Sequence, residues 1–169
     1  MTSVAVIIDE ASGPADLDTV RELFREYERW LGVDLCFQGF EDELARLPGP
    51  YAPPEGVILL ARSPEGPAGC IALKPLEAGV CEMKRLYVRP DFRGRGIGRA
   101  LVDCLCERAC ATGYRQMRLD TLERLTEAIA LYRSVGFRST QAYYNNPLPG
   151  VLYWELDLTV GRTPSEPTA

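Results

Sequence analysis

The sequence contains no histidine. Histidine is the side chain whose unperturbed pKa lies closest to neutrality, and it is also the commonest metal ligand. A general base in this chain must therefore be a carboxylate, a tyrosine, a cysteine or a water molecule positioned by such a group. Mixed zinc sites built from cysteine and histidine are excluded as well.

The cysteines form no C-x-x-C pair, which disfavours a redox motif or a zinc ribbon. We expect them to be buried, reduced thiols that pack as small apolar side chains, and we expect no metal site. The six positions are Cys36, Cys70, Cys81, Cys104, Cys106 and Cys110.

Long apolar runs are also missing. No run approaches the roughly 20 residues that cross a bilayer, and the apolar stretch 4–8 is too short and lacks the basic residues of a signal peptide. A formal net charge of −5 argues against a general nucleic-acid binder. These absences predict a cytoplasmic protein with neither a membrane nor a nucleic-acid partner.

The residues that are present alternate between strand and helix patterns. The spacing of Leu17, Val20, Phe24 and Leu31 is that of one helix face, and Gly32 is a plausible stop. Three apolar runs joined by short turns predict an antiparallel meander. Strands are predicted at 4–8, 57–62, 67–76, 80–88, 115–121, from 137 and at 151–158, and helices at 14–31, 40–47, 96–112 and 124–135.

This order predicts one domain of α/β or α+β type, with a mixed sheet and helices on its faces. The domain is expected to cover residues 1–160. Residues 161–169 are polar and contain two prolines, so a flexible tail is predicted there.

A glycine-rich turn with three arginines follows the strand at 80–88 and precedes a helix. Backbone N–H groups at such a helix start form a ready anion site, and glycines let a ligand approach the backbone. The turn therefore predicts a pyrophosphate site. Its residues are Arg93, Gly94, Arg95, Gly96, Ile97, Gly98 and Arg99.

Two common nucleotide motifs do not fit this turn. A P-loop requires lysine followed by serine or threonine, and the turn has neither. A dinucleotide-binding G-x-G-x-x-G turn is matched by Gly94 and Gly96, but Arg99 takes the third position. Asp120 lies about twenty residues further on, where a ribose-binding acid is expected, yet the turn follows a meander instead of opening a βαβ unit.

The segment Arg93-x-x-Gly96-x-Gly98 resembles the R/Q-x-x-G-x-G/A signature of the GNAT superfamily of acetyl-CoA-dependent N-acetyltransferases. Residues 82–90 resemble the strand that leads into that signature, and residues 130–137 resemble the family's second motif. The element order agrees from 4 to 158. The resemblance implies a mostly antiparallel sheet of six to seven strands with helices on both faces.

The resemblance also implies the cofactor, acetyl-CoA, and its contacts. The pyrophosphate would lie on the N–H groups of residues 93–98, with Arg99 at the edge. Leu86, Tyr87 and Val88 would contact the pantetheine arm and the acetyl carbonyl through their backbone. An N–H group near Val88 would polarise the thioester as an oxyanion hole does.

Tyr132 matches the family tyrosine that donates a proton to the leaving thiolate. A positioned acid assists the departure of a thiolate, so the chemistry agrees with this role. The alternative is a core aromatic, because Tyr132 also lies on the apolar face of its predicted helix.

Glu82 is the candidate general base. It lies eleven residues before Arg93, the separation at which histone-acetylating members of the family carry their catalytic glutamate. The alternative is an ion pair with Lys84 or Arg85. Strand alternation weakens the pairing with Arg85, because residues three apart point to opposite faces.

The acceptor pocket is expected between the first helix, the loop after it and the late loop. Aromatic side chains there could bind a cation or an apolar amine, and ordinary packing is the alternative for each of them. The candidates are Tyr27, Trp30, Phe37, Tyr143, Tyr144 and Asn145.

Taken together, these features predict direct acetyl transfer from acetyl-CoA to a small primary amine in a ternary complex, by a monomer or homodimer that needs no metal. Acetylation of a protein lysine or N-terminus is the alternative enzyme. An acyl-CoA-binding module without catalysis is the alternative non-enzyme.

Overall fold

A central sheet organises the chain in the computed structural model, which describes residues 5–160. Within that part of the chain the sheet has seven strands. They are β1 Ile7–Glu10, β2 Val57–Ser63, β3 Gly66–Glu77, β4 Val80–Val88, β5 Gln116–Leu122, β6 Arg138–Thr140 and β7 Val151–Asp157. The α-helices are α1 Gly13–Leu31, α2 Phe40–Ala45, α3 Ile97–Thr112 and α4 Thr126–Val135.

The strands lie in the order β1-β2-β3-β4-β5-β7-β6. Strands β1 to β4 form the predicted antiparallel meander, and β5, β7 and β6 continue the sheet with antiparallel pairs. The single parallel pair in the described region joins β4 to β5. The prediction of a mixed, mostly antiparallel sheet is confirmed.

Helices cover both faces of the sheet, as predicted. Val20, Leu23 and Phe24 of α1 pack with α2 on one face, because their three- and four-residue spacing aligns them along one side of the helix. Leu101 and Leu105 of α3 pack with α4 on the opposite face. Two apolar layers therefore enclose the sheet.

The first strand differs from its prediction. Strand β1 begins at Ile7 and includes Asp9 and Glu10, which were expected to end it. Both acids lie at the edge of the sheet, where Asp9 binds Arg62 at 2.7 Å and Glu10 binds Arg108 at 2.5 Å. An edge strand can carry such charges because one of its sides faces solvent. Residue 4 and the predicted tail at 161–169 lie outside the described residues.

The parallel pair is short and opens into a wedge. Val80–Glu82 of β4 pairs with Gln116–Arg118 of β5, and the described strands separate beyond that point. The edge of β4 that faces β5 is therefore without a strand partner from Met83 to Val88, and its backbone N–H and C=O groups can serve a ligand.

Strand β4 also contains a bulge. The register to β3 shifts between Cys70 and Ala72, and Arg85 has a φ of 62°, a left-handed value that is uncommon for a residue other than glycine. Both Lys84 and Arg85 consequently reach Gln38 on the α2 side of the sheet. The strict alternation assumed for Arg85 is wrong, because the bulge inserts an extra residue.

All six cysteines lie within residues 5–160, and none of them forms a disulfide there. Cys70, Cys81 and Cys106 are buried as predicted, but Cys104 is half-buried and Cys36 and Cys110 are exposed. The prediction of burial is therefore wrong for those three. Cys36 lies in a short 3-10 helix at the surface, and Cys104 and Cys110 lie toward the solvent side of α3.

Across residues 5–160, no helix combines the length and the hydropathy needed to cross a membrane.

Candidate active site

The wedge between β4 and β5 opens into a groove of about 440 Å³. The end of α1, the start of α3 and one face of α4 form its other walls. Eight of the residues predicted to contact the cofactor border it: Leu86, Tyr87, Val88, Arg93, Gly94, Gly96, Ile97 and Gly98. The structure therefore brings the glycine turn and the β4 strand to one cavity.

The glycine turn forms one end of this groove. Gly94 and Gly96 each have a φ of 78°, where a side chain would be strained, and no atom lies within 4 Å of the position that a Cβ would take. Gly96 is the N-cap of α3, and no side chain of the described residues caps it. The first N–H groups of α3 lack helical acceptors, so they can bind an anion.

The three arginines of the turn have different surroundings. The Nε of Arg93 donates to the Val88 carbonyl at 3.0 Å, and its guanidinium lies 5.2 Å from the Trp30 ring centre. Arg95 instead lies over Phe92, and Arg99 binds Asp103 at 3.2 Å. Neither Arg95 nor Arg99 borders the groove, in contrast to the prediction, because each packs along the outer surface of the turn or of α3.

Tyr132 lies in the wall contributed by α4. It is 7% exposed and packs against Phe137 with ring centres 5.7 Å apart, so it belongs to the core and also borders the groove. Burial raises the pKa of Tyr132, and electrostatic coupling to Tyr27 and Asp120 acts in the same direction. The phenol therefore keeps its proton at neutral pH and can act as a donor but not as a base.

Glu82 does not border the groove. Its side chain is 3% exposed, and its Oε2 accepts a hydrogen bond from the Tyr143 hydroxyl at 2.5 Å. The Nζ atoms of Lys74 and Lys84 lie 3.5 Å and 4.0 Å from its Oε1. The predicted ion pair between Glu82 and Lys84 is present. Lys74, which is the cross-strand neighbour of Glu82 in the β3–β4 register, is a second cation that was not predicted.

Asp120 is a second carboxylate, and it does border the groove. It lies on β5 just beyond the part that pairs with β4. The Tyr144 hydroxyl and the Asn146 amide, the latter at 2.8 Å, both donate to its Oδ2. Sequence reasoning considered Asp120 only as a ribose-binding acid. Asp120 takes a polar position in the alternation of β5, as Gln116 and Arg118 do, so the strand pattern alone does not distinguish it.

The predicted acceptor residues divide between two cavities. Tyr27 and Trp30 border the groove, whereas Phe37, Tyr143 and Tyr144 border a separate recess. Asn145 is exposed and borders neither, because the loop turns it outward, and the neighbouring Asn146 faces the groove instead.

The recess has a volume of about 270 Å³ and shares a wall with the groove. Gln38, Lys84 and Arg85 border both cavities. The Gln38 carbonyl oxygen accepts from Lys84 at 3.2 Å and from Arg85 at 2.9 Å, and its amide donates to Tyr144 at 3.1 Å. Tyr144 in turn donates to Asp120, so one hydrogen-bond network separates the two cavities.

The aromatic wall of the groove is continuous. Trp30 lies 6.4 Å from Tyr27 and 6.1 Å from Tyr87 between ring centres, and it is 42% exposed. Burial raises the pKa of Tyr27, so this wall stays neutral at physiological pH. It suits an apolar chain, such as a pantetheine arm, better than a free ion.

Residues 54–139 match the family model described as the acetyltransferase (GNAT) domain. The chain belongs to the GNAT acetyltransferase family. A relative in Schizosaccharomyces pombe, named as an uncharacterised N-acetyltransferase, is 46% identical to this GNAT protein over 148 residues, which cover 86% of this chain and 91% of the relative. The family assignment from the glycine signature is confirmed, and with it the assignment as an N-acetyltransferase.

Solved structures show the same fold. A GNAT-family acetyltransferase from Staphylococcus aureus Mu50 matches with a TM-score of 0.76 at 19% identity, over 91% of this chain and 99% of that one. The PaiA N-acetyltransferase of Thermoplasma acidophilum, solved in complex with coenzyme A, matches with a TM-score of 0.69 at 18% identity, over 90% and 99% of the two chains. Identities this low support the fold alone.

Proposed function

We propose that this GNAT protein transfers an acetyl group from acetyl-CoA to the primary amine of a small molecule, by direct transfer in a ternary complex. The observation that carries the proposal is the course of the groove. It runs from the uncapped start of α3, along the unpaired edge of β4, to Tyr132 and Asp120. An anion site, an extended hydrogen-bonding edge and a proton donor thus lie along one cavity.

The residues present fit acetyl-CoA, which would supply the activated acetyl group. The N–H groups of residues 96–98 would hold its pyrophosphate, because the first N–H groups of a helix have no intrahelical acceptor and lie at the positive end of the α3 dipole. The free edge of β4 at Leu86–Val88 would bind the pantetheine amides. The structural neighbour solved with coenzyme A has the same fold, which supports this cofactor.

Two side chains of the groove would handle protons. Tyr132 would donate to the departing sulfur, since its raised pKa keeps it protonated. Asp120 would accept the proton of the acceptor ammonium, since it borders the groove on β5 just beyond the β4–β5 pairing, whereas Glu127 borders it from the first turn of α4. Glu82, the candidate from the sequence, is enclosed by Tyr143, Lys74 and Lys84 and borders the recess instead.

Ligand-dependent melting tests the cofactor. Acetyl-CoA at 100 times its dissociation constant should stabilise the fold by about 2.7 kcal/mol and raise the melting temperature by roughly 5–10 °C. NADH at the same concentration should leave the melting temperature unchanged. Stabilisation by NADH but not by acetyl-CoA would contradict the cofactor assignment.

Thiol release over a panel of amines tests the reaction. At least one small amine should support release, and Tyr132→Phe should lower kcat by about 100-fold with that amine. Tyr114→Phe is the matched control, because its hydroxyl donates to the Glu55 carbonyl at 2.7 Å and lies away from the groove. Tight acetyl-CoA binding without release for any amine would favour the binding-module alternative, and release with peptides alone would favour the protein-acetylating one.

The cytoplasmic location, the boundary of the domain at residue 160 and the monomeric or dimeric state stay predictions from the sequence.

A further inference from the structure

Lysine is rare in this chain and occurs in one place. The sequence has 17 arginines but only two lysines, Lys74 and Lys84. Both border the recess beside the groove. Lysine differs from arginine in presenting a compact point charge on a flexible stem, which can follow a small anion.

The two lysines approach the same oxygen. Their Nζ atoms lie 3.5 Å and 4.0 Å from Oε1 of Glu82, longer than the roughly 2.7–2.9 Å of a charge-assisted hydrogen bond. Oε2 of Glu82 is already bonded to Tyr143. Glu82 therefore offers each lysine only a distant partner.

The charges around the recess do not cancel. Arg85 forms a bidentate pair with Glu43, with both bonds at 3.1 Å. Glu82 is the remaining acid of the recess and faces two lysines. Among the described residues that border the recess, one positive charge is left over. Burial lowers the pKa of Lys84, while Glu82 and, from the adjoining groove, Asp120 act in the opposite direction. In this partly buried site an anion would be attracted more strongly than in water.

We infer that the recess binds the carboxylate of the acceptor, so that the acceptor is a small amino acid whose amino group lies in the groove. The inference deepens the proposed function and rests on it. A carboxylate carries the single charge that the recess leaves uncompensated, whereas a phosphate monoester carries about two. Lys84 borders both cavities and donates to the Gln38 carbonyl between them. A carboxylate that takes the place of this carbonyl on Lys84 would lie at the boundary of the two cavities, with the amino group on the side of Asp120.

The residues at the rim of the recess indicate which type of side chain that amino acid carries. Phe37 and Leu76 are 38% and 37% exposed there, and Tyr143 completes an apolar border. Large apolar side chains exposed at a cavity mouth are typical of ligand contacts. An amino acid with an apolar side chain is therefore the expected acceptor.

A comparison of amino acids with their amides tests whether the protein recognises the carboxylate of the acceptor. Leucine, methionine and phenylalanine are each compared with their amides in thiol release, over a range of pH so that amine ionisation is separated from recognition. The free acid of the best pair should have a kcat/KM at least about 10-fold higher, mainly through KM, which corresponds to about 1.4 kcal/mol. Equal or better use of the amides would overturn the inference.

Substitutions of Lys74 test whether the preference for the free acid depends on the positive charge at this position. Lys74→Met should reduce the preference for the acid to less than about threefold, while Lys74→Arg should retain most of it. Arg46→Met is the matched control, since Arg46 is 77% exposed, pairs with Asp42 and borders neither cavity. A preference that survives unchanged in Lys74→Met would also overturn the inference.

Calorimetry separates this inference from the proposed function, because it needs no turnover. 4-Methylpentanoate and 4-methylpentanamide are titrated into the protein with coenzyme A present. Binding of the acid at least about 10-fold tighter than the amide supports the inference even if no amine is acetylated. Equal binding contradicts it even if amines are acetylated.

Discussion

At the scale of single residues, two carboxylates compete for the role of base, and their surroundings differ. Asp120 borders the groove and receives hydrogen bonds on one oxygen, Oδ2, from Tyr144 and Asn146. Glu82 is 3% exposed and borders the recess. A base must come within hydrogen-bond reach of the proton it accepts, so location favours Asp120.

Replacing each acid by its isosteric amide shows which of the two acts as the base. Asp120→Asn should lower kcat/KM by about 100-fold, because the amide cannot accept a proton. Glu82→Gln should lower kcat by less than about 10-fold and should cost about 2 kcal/mol in urea denaturation, because it leaves both lysines without a counter-charge. A larger loss of turnover in Glu82→Gln than in Asp120→Asn would restore Glu82 as the base.

The residues of the site were only partly accessible from the sequence. Tyr132 and the glycine turn could be predicted because their motifs are local, with each residue at a fixed spacing along the chain. The pairing of Lys74 with Glu82 depends on the register between two strands, which the spacing of apolar residues does not specify to one residue. The place of Asp120 depends on where β4 and β5 separate, a property of the whole sheet.

At the scale of elements, the bulge in β4 requires a close approach by β3. Gly69 faces Val88 in the register, and a Cβ at Gly69 would lie 2.4 Å from the Tyr87 carbonyl oxygen and 3.2 Å from the Val88 Cα. Both contacts are with backbone, which cannot rotate away. Glycine at this position therefore sets the path of the strand edge that would bind the cofactor.

Gly69→Ala should consequently damage both stability and binding. The clash should cost about 2–3 kcal/mol in urea denaturation and should weaken acetyl-CoA binding at least about fivefold, because Tyr87 and Val88 must shift. Gly98→Ala is the stability control. Its Cβ would meet Leu131 at 3.6 Å, an ordinary contact, and alanine in a helix is favoured over glycine by up to about 1 kcal/mol. Wild-type stability in Gly69→Ala would show that the strands can separate without cost.

The elements themselves were largely predictable. Strand β4 has the predicted bounds, and the glycines after α1, α3 and α4 cap these helices as expected. Apolar periodicity and glycine stops carry this information locally. The bulge in β4 has no such signal, because nothing in the residue type of Arg85 or its neighbours marks the position that takes a positive φ and contacts Gln38 and Glu43.

At the scale of the whole molecule, one hydrogen-bond network connects parts of the chain that are distant in sequence. It runs from Lys84 and Arg85 on β4 through Gln38, after α1, to Tyr144 in the loop before β7 and then to Asp120 on β5. A buried network holds its members in one arrangement only if each is satisfied. Each of these side chains has a hydrogen-bond partner within the network, so separate parts of the chain together hold the wall between the groove and the recess.

The absence of histidine and the burial of tyrosines together predict how stability depends on pH. Burial raises the pKa of several tyrosines, and nearby acids add to the effect for some of them. In the folded state they stay neutral above pH 10, whereas in the unfolded state they ionise near pH 10. Burial also raises the pKa of Cys70 and Cys81. The seven affected tyrosines are Tyr27, Tyr51, Tyr87, Tyr114, Tyr132, Tyr143 and Tyr144.

Stability should therefore be nearly constant from about pH 6 to 8, where no histidine titrates, and should fall as the pH rises through 9 to 11. A raised folded-state pKa favours folding fully below the unfolded pKa, and this contribution is lost above it. For each buried tyrosine, the free energy of unfolding should fall by about 1 kcal/mol between pH 9 and 11, and the seven tyrosines together should lower it by several kcal/mol. Urea denaturation at pH 7, 9, 10 and 11 measures the loss, with absorbance at 295 nm reporting tyrosinate.

In Tyr132→Phe the difference in the free energy of unfolding between pH 9 and 11 should shrink by about 1 kcal/mol, because one ionisable phenol has been removed. A flat profile to pH 11 would mean that the tyrosines ionise as readily in the folded protein as in the unfolded chain, and a phenol that ionises so readily could not be relied on as the proton donor of the groove.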